Sequence, residues 1–587
     1  MALPIGVSLG GLVLLSICVR FLLGLFVPAP WIFADELRYS ELAKSFASTG
    51  HFATRDVPGL GLGPLYPVLI APAWAAFSDV PQAYVVAKAI NSVLMSLAAV
   101  PTYLLARRLL PRSWSLVAAG LAVAVPSTVY AGTIMTENVF YPLFVAASLG
   151  IVAALERPSA RRQLGVLALI GLAFLARSQA IALLAAFATA IVAVAATDAR
   201  EGDRVRAFMR GIRRFLPTWI ALVGGLVALV GWQSLRGRPL AAALRDNQTI
   251  FYQHYSLGAV AKWFAYHLAE LDLYVGLLPF AAFLILGTYS LSRTDRRLRV
   301  FALASLSILF WLLVVVAFYT SALTAYDPHA VSHVEDRYTF YAVPLLVIAL
   351  LAWVSGRMPG SSRLAAAAAG ASALLILVLP LDDLIQNNAV PDALAFLPWV
   401  VTNGEGMIVA RPHAELFLGV LTFALALLFY RLKPPLMRGL SPLLVLLYLA
   451  TTLVVAERWY YAEGSVAVAS GPDKAWIDHA LAPGEETVAI WSGVAGSHLL
   501  MESEFFNRKV GQIYSLREPT WAGLPEQKLA VNRRTGLIVD GNGKPLQARF
   551  ALVDPWVVLR GRVVARDRKS GLRLYRLPGN RAQIAAQ

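Results

Sequence analysis

Long apolar runs separated by short basic loops fill the chain from its N-terminus to about residue 456. A run of about 20 apolar residues is long enough to cross a bilayer as a helix, so the sequence predicts about 13 transmembrane helices. The run at 163–176 is short and forms a tight hairpin with the run that follows it. The predicted helices lie at 5–27, 83–106, 114–131, 138–155, 163–176, 179–197, 215–235, 272–291, 300–320, 338–355, 364–380, 415–430 and 440–456.

The loop after the first apolar run, residues 28–82, has a pattern of its own. Asp35 to Thr49 fits a short helix with one apolar stripe. Pro64 to Phe77 is apolar but too short to span, which favours a helix that lies in the membrane interface. The glycine-rich segment 59–64 predicts a flexible, tightly turning link between the two helices.

Beyond residue 456 the long apolar runs stop, and short strand-like runs punctuated by Gly, Pro and Asn replace them. These runs are 487–491, 549–553, 557–564 and 572–577. They predict a soluble α/β or β-rich domain. We therefore predict a polytopic α-helical membrane domain at 1–456 and a C-terminal domain at 457–587.

Composition and charge agree with a multi-pass protein of the cell membrane. Hydrophobic residues make up 58% of the 587, and charged residues only 15%, against about 25% in soluble domains. The net charge of +16 comes from basic residues in alternate loops, which predicts a cytoplasmic N-terminus and an extracytoplasmic C-terminal domain. This distribution predicts no nucleic-acid partner. Cys18 is the single cysteine, which excludes internal disulfides.

Acidic residues stand at the predicted outer face. Asp35 and Glu36 begin the first loop helix, where free N–H groups and the helix dipole favour an ionised carboxylate that could act as a general base. Glu137 lies in a very short loop between the third and fourth spans. The alternative is that Asp35 is only an N-cap, Glu36 only a first-turn charge, and Glu137 a cap on the next span.

Cations stand at or near the same boundary. Lys88 lies just inside the second span, Arg177 interrupts an apolar hairpin, and Arg337 begins the tenth span. A cation at membrane depth usually faces a cavity or an anion, for example a lipid phosphate. Snorkelling to the interface, or a salt bridge for Arg337, is the alternative.

Two further patterns give weaker signals. Asp327, His329 and His333 have a spacing that only weakly suggests a metal, so no cofactor is expected. Aromatic residues of the tail could stack on sugars, although core packing is the favoured interpretation. They are Trp476, Trp491, Phe505, Phe506, Tyr514 and Trp521.

Several short motifs carry a family resemblance through their order along the chain. They are Ala34-Asp35-Glu36-Leu37-Arg38-Tyr39, Gly63-Pro64-Leu65-Tyr66-Pro67, Ala87-Lys88-Ala89-Ile90-Asn91-Ser92, Tyr103-Leu104-Leu105-Ala106-Arg107-Arg108, Thr136-Glu137-Asn138, Leu175-Ala176-Arg177-Ser178-Gln179 and Asp336-Arg337-Tyr338-Thr339-Phe340-Tyr341. The chain thereby resembles GT-C fold glycosyltransferases of the protein-O-mannosyltransferase and aminoarabinose-transferase superfamily, similar to glycosyltransferase family 39. The C-terminal domain matches no mannosyltransferase domain.

The resemblance implies a hexosyl- or pentosyltransferase that moves a sugar from a polyprenyl-phosphate donor to an acceptor hydroxyl outside the cytoplasm, with inversion. The acceptor would be a cell-envelope glycan, lipid or protein. Asp35 resembles the general base, and Glu36 and Glu137 match further catalytic acids. The residues implied to bind the donor phosphate are Lys88, Arg177 and Arg337. The residues implied to line the substrate cavity are Tyr39, Tyr66 and Asn138.

Other classes of membrane protein stay open at this point. A ligase or flippase of lipid-linked glycans would also bind phosphates, but a cationic first outside loop would be expected instead of paired acids. A transporter should show repeat symmetry and charges at the midplane, and the polar residues here gather at the outer boundary. A non-catalytic scaffold would tolerate Asp35→Asn.

Overall fold

The computed structural model describes most of the chain. The described residues are 5–30, 33–55, 57–59, 62–199, 204–244, 252–292, 295–326, 334, 336–358, 362–379, 414–431, 470–494, 496–517 and 524–585, with single positions between 439 and 450. The predicted span at 440–456, Trp521, Asp327, His329 and His333 lie outside this set.

Helices occupy each of the predicted apolar runs up to residue 430, and further helices lie outside those runs. They are α1 (Ile5–Gly24), α2 (Phe33–Thr49), α3 (Leu65–Ala76), α4 (Val80–Ser96), α5 (Ala99–Ala106), α6 (Arg112–Ala124), α7 (Glu137–Glu156), α8 (Ala160–Ala176), α9 (Ile181–Asp198), α10 (Arg204–Arg213), α11 (Leu216–Leu235), α12 (Leu257–Tyr274), α13 (Leu278–Thr288), α14 (Arg296–Tyr326), α15 (Val343–Val354), α16 (Ser362–Ile376), α17 (Ala414–Arg431), α18 (Trp476–Ala480) and α19 (Ser497–Phe506).

The chain divides into two compact units. The first unit comprises Met1–Cys18, Val93–Val129 and Thr136–Ala456. The second unit joins Val19–Ser92 and Tyr130–Met135 to Glu457–Gln587. The predicted boundary at 456 stays a prediction, but the loop after α1 clusters with the C-terminal segment.

The first unit is built from packed apolar helices. Its α15 is buried at every position, as expected for a helix that is apolar all round. Neighbouring pairs include α7 with α8, α9 with α14, and α13 with α15. The apolar surfaces of these helices therefore form the core of the unit.

Six described helices are long and apolar enough to cross a membrane, or eight if each of two bent pairs counts as one span. Three shorter apolar helices are Leu65–Ala76, Phe340–Val354 and Arg363–Ile376. The helix predicted at Pro64 to Phe77 is thus confirmed as a helix, and so is the one at Asp35 to Thr49. The number of about 13 spans stays a prediction.

The helix predicted at 272–291 is found, but it begins later than predicted, at Leu278 in α13. The chain there bends by 117° between α12 and α13, and α12 occupies part of the predicted outside loop. Gly276 and Leu277 have φ values of +82° and +71°, a left-handed conformation that ends a helix. Pro279 lies in the first turn of α13, which begins at Leu278, as proline favours the first helical turn.

The C-terminal part of the second unit is an α/β domain. The first two strands of the chain, β1 (Ala53–Thr54) and β2 (Val57–Pro58), form a separate small hairpin in the loop after α1. The strands of the C-terminal domain are β3 (Thr487–Trp491), β4 (Val510–Ser515), β5 (Gln527–Lys528), β6 (Ala530–Val531), β7 (Ile538–Val539), β8 (Phe550–Val553), β9 (Arg562–Arg566) and β10 (Arg573–Arg576). Six strands form one mixed sheet in the order β5-β4-β3-β8-β10-β9. The crossover from β3 to the parallel β4 runs through α19, as parallel pairing requires.

The prediction for 557–564 is correct only at its end, because the strand covers Arg562–Arg566. Asp554 forms a turn by accepting hydrogen bonds from the backbone N–H groups of Trp556 and Val557. The tail aromatics Trp476, Trp491, Phe505, Phe506 and Tyr514 are all buried. They pack in the interior of the unit, as the favoured interpretation expected.

Candidate functional site

An ion cluster surrounds the first residue of α7. The Glu137 side chain is fully buried, and its Oε1 accepts a hydrogen bond of 2.5 Å from Nη1 of Arg177. The same Oε1 lies 3.2 Å from Nε of Arg337. Thr136 donates to the other carboxylate oxygen at 3.3 Å. Two guanidiniums therefore share one carboxylate at a helix N-terminus.

The local backbone explains why the two arginines reach this carboxylate. Arg177 is extended between α8 and a 3-10 turn at Ser178–Ala180, so its side chain leaves the helix direction. Arg337 lies in a second 3-10 turn, Asp336–Tyr338. Gln179 donates to the Tyr338 carbonyl oxygen at 2.8 Å, which ties the two turns together.

Aromatic side chains complete the cluster. The ring centroid of Tyr338 lies 5.0 Å from the Arg177 guanidinium carbon and 5.2 Å from that of Arg337. Arg177 also donates to the Tyr341 hydroxyl at 3.2 Å. Cation–π contacts of this kind hold guanidiniums without neutralising them.

The charges of the three ionised side chains do not cancel. One carboxylate and two guanidiniums give these three side chains a net charge of +1. Burial would lower the pKa of Arg177, but the Glu137 carboxylate outweighs it and raises that pKa above its ordinary value. The guanidinium side chains remain 14% and 13% exposed. An arginine fork has five N–H donors in a geometry that matches phosphate.

The paired acids of α2 lie in the second unit and have different surroundings. Glu36 is fully buried, and its Oε1 accepts a 2.8 Å hydrogen bond from the Ile134 backbone N–H. Asp35, in the same first turn, is partly exposed. Consecutive residues of a helix point about 100° apart, so one carboxylate anchors the helix and the other is accessible.

Lys88 also belongs to the second unit. Its buried ammonium donates to the carbonyl oxygens of Gly24 at 3.1 Å and Val27 at 2.5 Å. It lies 3.8 Å from the centroid of the Tyr84 ring. The side chain thus satisfies carbonyls at the end of α1. It also lines a cavity of about 430 Å³ with Tyr84 and Lys474.

The three residues implied to line a substrate cavity are buried. The ring centroids of Tyr39 and Tyr66 lie 5.4 Å apart, edge to face. The Tyr66 hydroxyl donates to Asn91 at 3.1 Å, and Asn91 donates to the Thr133 carbonyl oxygen at 2.7 Å. Asn138 follows Glu137 in the first unit. These contacts make the tyrosines part of the packing of the second unit.

Sequence reasoning missed several residues of this neighbourhood. Tyr341 and Gln179 lie in the motifs that carry the family resemblance, but only their contacts in the structure show that they belong to the cluster. Glu270 accepts from Thr339 at 3.0 Å, within the segment that carries Arg337 and Tyr341. An acid within an apolar helix was a usable signal, but 236–271 had been predicted as a loop.

Within the described ranges, no group of three or more His, Cys, Asp or Glu side chains could hold a metal ion. The arrangement at Glu137 instead offers fixed guanidinium donors, which stabilise anions through hydrogen bonds and charge.

Comparisons with known proteins agree with this architecture. A family model described as dolichyl-phosphate-mannose-protein mannosyltransferase matches residues 57–207. The structure is similar to ArnT from Cupriavidus metallidurans in the apo state, with a TM-score of 0.51, 17% identity, and coverage of 96% of this chain and 98% of that one. It is also similar to the same protein bound to undecaprenyl phosphate, with a TM-score of 0.51, 16% identity and 98% coverage of both chains.

A search of curated protein sequences found no match. The structural likeness extends over nearly the whole chain, including the C-terminal domain. The GT-C fold predicted from the motifs is therefore confirmed.

Proposed function

We propose that this chain is a membrane glycosyltransferase that moves a hexosyl or pentosyl group from a polyprenyl-phosphate donor to an acceptor hydroxyl outside the cytoplasm. The observation that carries the proposal is the Glu137 cluster, in which Arg177 and Arg337 share one buried carboxylate. Its support is the fold common to ArnT, of which one structure is described as bound to undecaprenyl phosphate.

The reaction needs charge stabilisation at the leaving group. As the acceptor oxygen attacks the anomeric carbon, the bond from that carbon to the phosphate oxygen breaks, and negative charge grows on the polyprenyl phosphate. Donors that are already oriented stabilise such charge most effectively, because they need not reorganise during the reaction. In the proposal Arg177 and Arg337 supply these donors, and Glu137 holds them in place.

The acceptor hydroxyl must lose its proton in the same step. Asp35 is the proposed general base because it is partly exposed, whereas the neighbouring Glu36 is buried and bonded to the Ile134 N–H. The proton passes from the acceptor oxygen to the Asp35 carboxylate, and the new bond forms on the face opposite the phosphate, which inverts the anomeric centre. Glu36 then serves to fix α2.

The remaining partners follow from the topology prediction. The basic inside loops give the protein a cytoplasmic N-terminus and an extracytoplasmic C-terminal domain in a cell membrane. The acceptor is then a cell-envelope glycan, lipid or protein, met at the outer face. Lys88 donates to the carbonyl oxygens of Gly24 and Val27, so direct phosphate binding is the secondary role for this residue.

The test is sugar transfer by the purified protein from a panel of radiolabelled polyprenyl-phosphate sugars to cell-envelope extract. We expect transfer by the wild type and a loss of about 10²- to 10⁴-fold in Asp35→Asn, with donor binding retained. Asp79→Asn is the matched control, because Asp79 is a partly exposed acid of the same loop that accepts from the Gln82 N–H.

Two results would count against the proposal. Equal transfer by Asp35→Asn and the wild type removes Asp35 as the base. Transfer from no donor of the panel, by a protein that still binds polyprenyl phosphate, favours a ligase or flippase of lipid-linked glycans.

A further inference from the structure

Four cations tie the loop after α1 to the C-terminal domain, all within the second unit. Lys44 donates to the Phe505 carbonyl oxygen at 2.7 Å, and Arg508 donates to the carbonyl oxygens of Trp74 and Phe77 at 2.7 and 2.8 Å. The other two contacts are from Lys474 to the Pro28 carbonyl oxygen and from Arg55 to that of Pro525. In all four contacts the acceptor is a main-chain carbonyl oxygen, whose charge does not change with pH.

The strongest of these ties is an ion pair. Arg55 donates from Nε and Nη2 to the two carboxylate oxygens of Glu504, at 2.6 and 2.7 Å. The side chains are 2% and 1% exposed. Such a two-pronged pair fixes orientation as well as distance, and removal of one partner leaves an uncompensated buried charge.

The chain conformation at Arg55 depends on this pair. Arg55 follows α2 in the turn between β1 and β2, and its φ of +50° lies in the left-handed region. That region is costly for a residue with a side chain, so it persists where surrounding contacts determine it. The contacts here are those with Glu504 and with the Pro525 carbonyl oxygen.

Helix α2 is therefore held at its C-terminal half and just beyond its end. Lys44 lies on α2, where it pairs with Glu41 at 2.7 Å and reaches the end of α19. Arg55 holds the hairpin that follows. The other end of the same helix presents Asp35 and Glu36.

We infer that the C-terminal domain is part of the catalytic machinery, because Arg55, Lys44 and Glu504 are positioning residues that hold α2 and thereby aim Asp35. The part of this inference that concerns catalysis rests on the proposed function. The part that concerns α2 does not.

The test combines hydrogen exchange with kinetics in the full-length protein. In Glu504→Gln we expect exchange of residues 33–49 to accelerate by about ten-fold or more, because the Arg55 charge is left buried and unpaired. The turnover number should fall by about ten-fold or more while donor affinity stays within about two-fold, since α2 and not the phosphate site has moved. The charge-reversed pair Arg55→Glu with Glu504→Arg should regain much of both.

The matched control is Arg549→Gln, which breaks an ion pair with Glu485 in the same domain whose arginine is 53% exposed. It should leave exchange of α2 and turnover unchanged. Lys44→Gln gives a milder perturbation, so it serves if Glu504→Gln fails to fold. It should accelerate exchange in α2 and leave β3 protected.

Wild-type protection of α2 in both Glu504→Gln and Lys44→Gln would overturn the inference, whatever the activity. Equal loss of protection in α2 and β3 in Lys44→Gln would also overturn it, because the change would then be unfolding of the domain. If α2 loosens as expected but no protein transfers sugar, the positioning of α2 stands and the proposed function fails.

Discussion

Two arrangements of guanidinium and carboxylate groups in this protein contain the same chemical groups but differ in charge and exposure. At Glu137, two guanidiniums contact a single carboxylate oxygen, and both arginine side chains keep some exposure. At Glu504, one guanidinium meets both carboxylate oxygens, and the pair is sealed from solvent. The first arrangement carries an excess of positive charge among its three side chains, and the second is balanced.

The balance of charges and their exposure to solvent distinguish an anion-binding site from a structural ion pair. A balanced, buried, two-pronged pair has its strongest donors committed to its partner, so it fixes structure and offers little to a ligand. At the Glu137 cluster two guanidiniums with some exposure to solvent meet one carboxylate at a helix N-terminus, which is the kind of place where anions bind. The comparison predicts that equivalent substitutions have different effects in the two places.

The largest effect is expected when the shared carboxylate is removed. Glu137→Gln leaves two guanidiniums without their counter-charge, which should cost about 3 kcal/mol of stability. It should also lower sugar transfer by about 10²-fold, because the donors lose their orientation. Thermal unfolding and transfer assays measure both quantities.

Glu156→Gln is the control, because Glu156 ends the same helix and pairs with Arg108. It should retain transfer. If Glu137→Gln had the donor affinity and the melting temperature of the wild type, the proposed difference between the Glu137 cluster and the Arg55–Glu504 pair would be contradicted.

Arginine-to-lysine substitutions should have a smaller effect, which differs between the Glu137 cluster and the Arg55–Glu504 pair. Lysine keeps the charge but lacks the planar fork. Arg177→Lys and Arg337→Lys should each weaken undecaprenyl phosphate binding by about ten-fold with little loss of stability. Arg55→Lys should leave binding unchanged and cost about 1–2 kcal/mol of stability.

Isothermal titration with undecaprenyl phosphate and thermal unfolding of all three proteins provide the measurements. Weakened binding in Arg55→Lys, or unchanged binding in both variants at the Glu137 cluster, would contradict the assignment of roles.

The smallest effect concerns the pH dependence contributed by Glu41, which pairs with Lys44 on α2. Burial raises the pKa of Glu41 above its ordinary value, although Lys44 opposes the shift. The folded state therefore holds this proton more tightly than the unfolded state does. Its contribution to stability is fully present below the unfolded pKa and is lost as the pH rises through the folded pKa.

Glu41→Gln removes this dependence. The melting temperatures of the variant and the wild type should agree at low pH. Above the raised pKa the variant should gain on the wild type by about 2 °C, the shift typical of a change below ~1 kcal/mol. A wild type that gains stability relative to the variant as the pH rises would reverse the sign and contradict the role of burial.

Local pattern was enough to predict much of the fold. Helices at Asp35–Thr49 and Pro64–Phe77 followed from apolar spacing and from length, and so did most of the helices between 83 and 376. The bend between α12 and α13 was missed because a hydropathy window averages over Gly276 and Leu277. A sequence pattern does not reveal their left-handed backbone.

The candidate site was predicted only in part. Glu137 was singled out by its very short loop at the predicted outer boundary, Arg177 because it interrupts an apolar hairpin, and Arg337 because it begins a span. That they are partners of one another needed the structure. Lys88 was singled out because it lies just inside a span, yet its partners include backbone carbonyls. A charge in a sequence does not show whether a ligand, a side chain or the main chain balances it.

By itself the sequence determined where most of the apolar helices lie, that strands follow them towards the C-terminus, and which charged residues are costly to place in or near a membrane. These features depend on hydrophobicity and on neighbours within a few turns. Only the tertiary structure decided which charges meet. Arg55 and Glu504 are 449 residues apart, and the contact energy that joins them exists only once the intervening chain has folded.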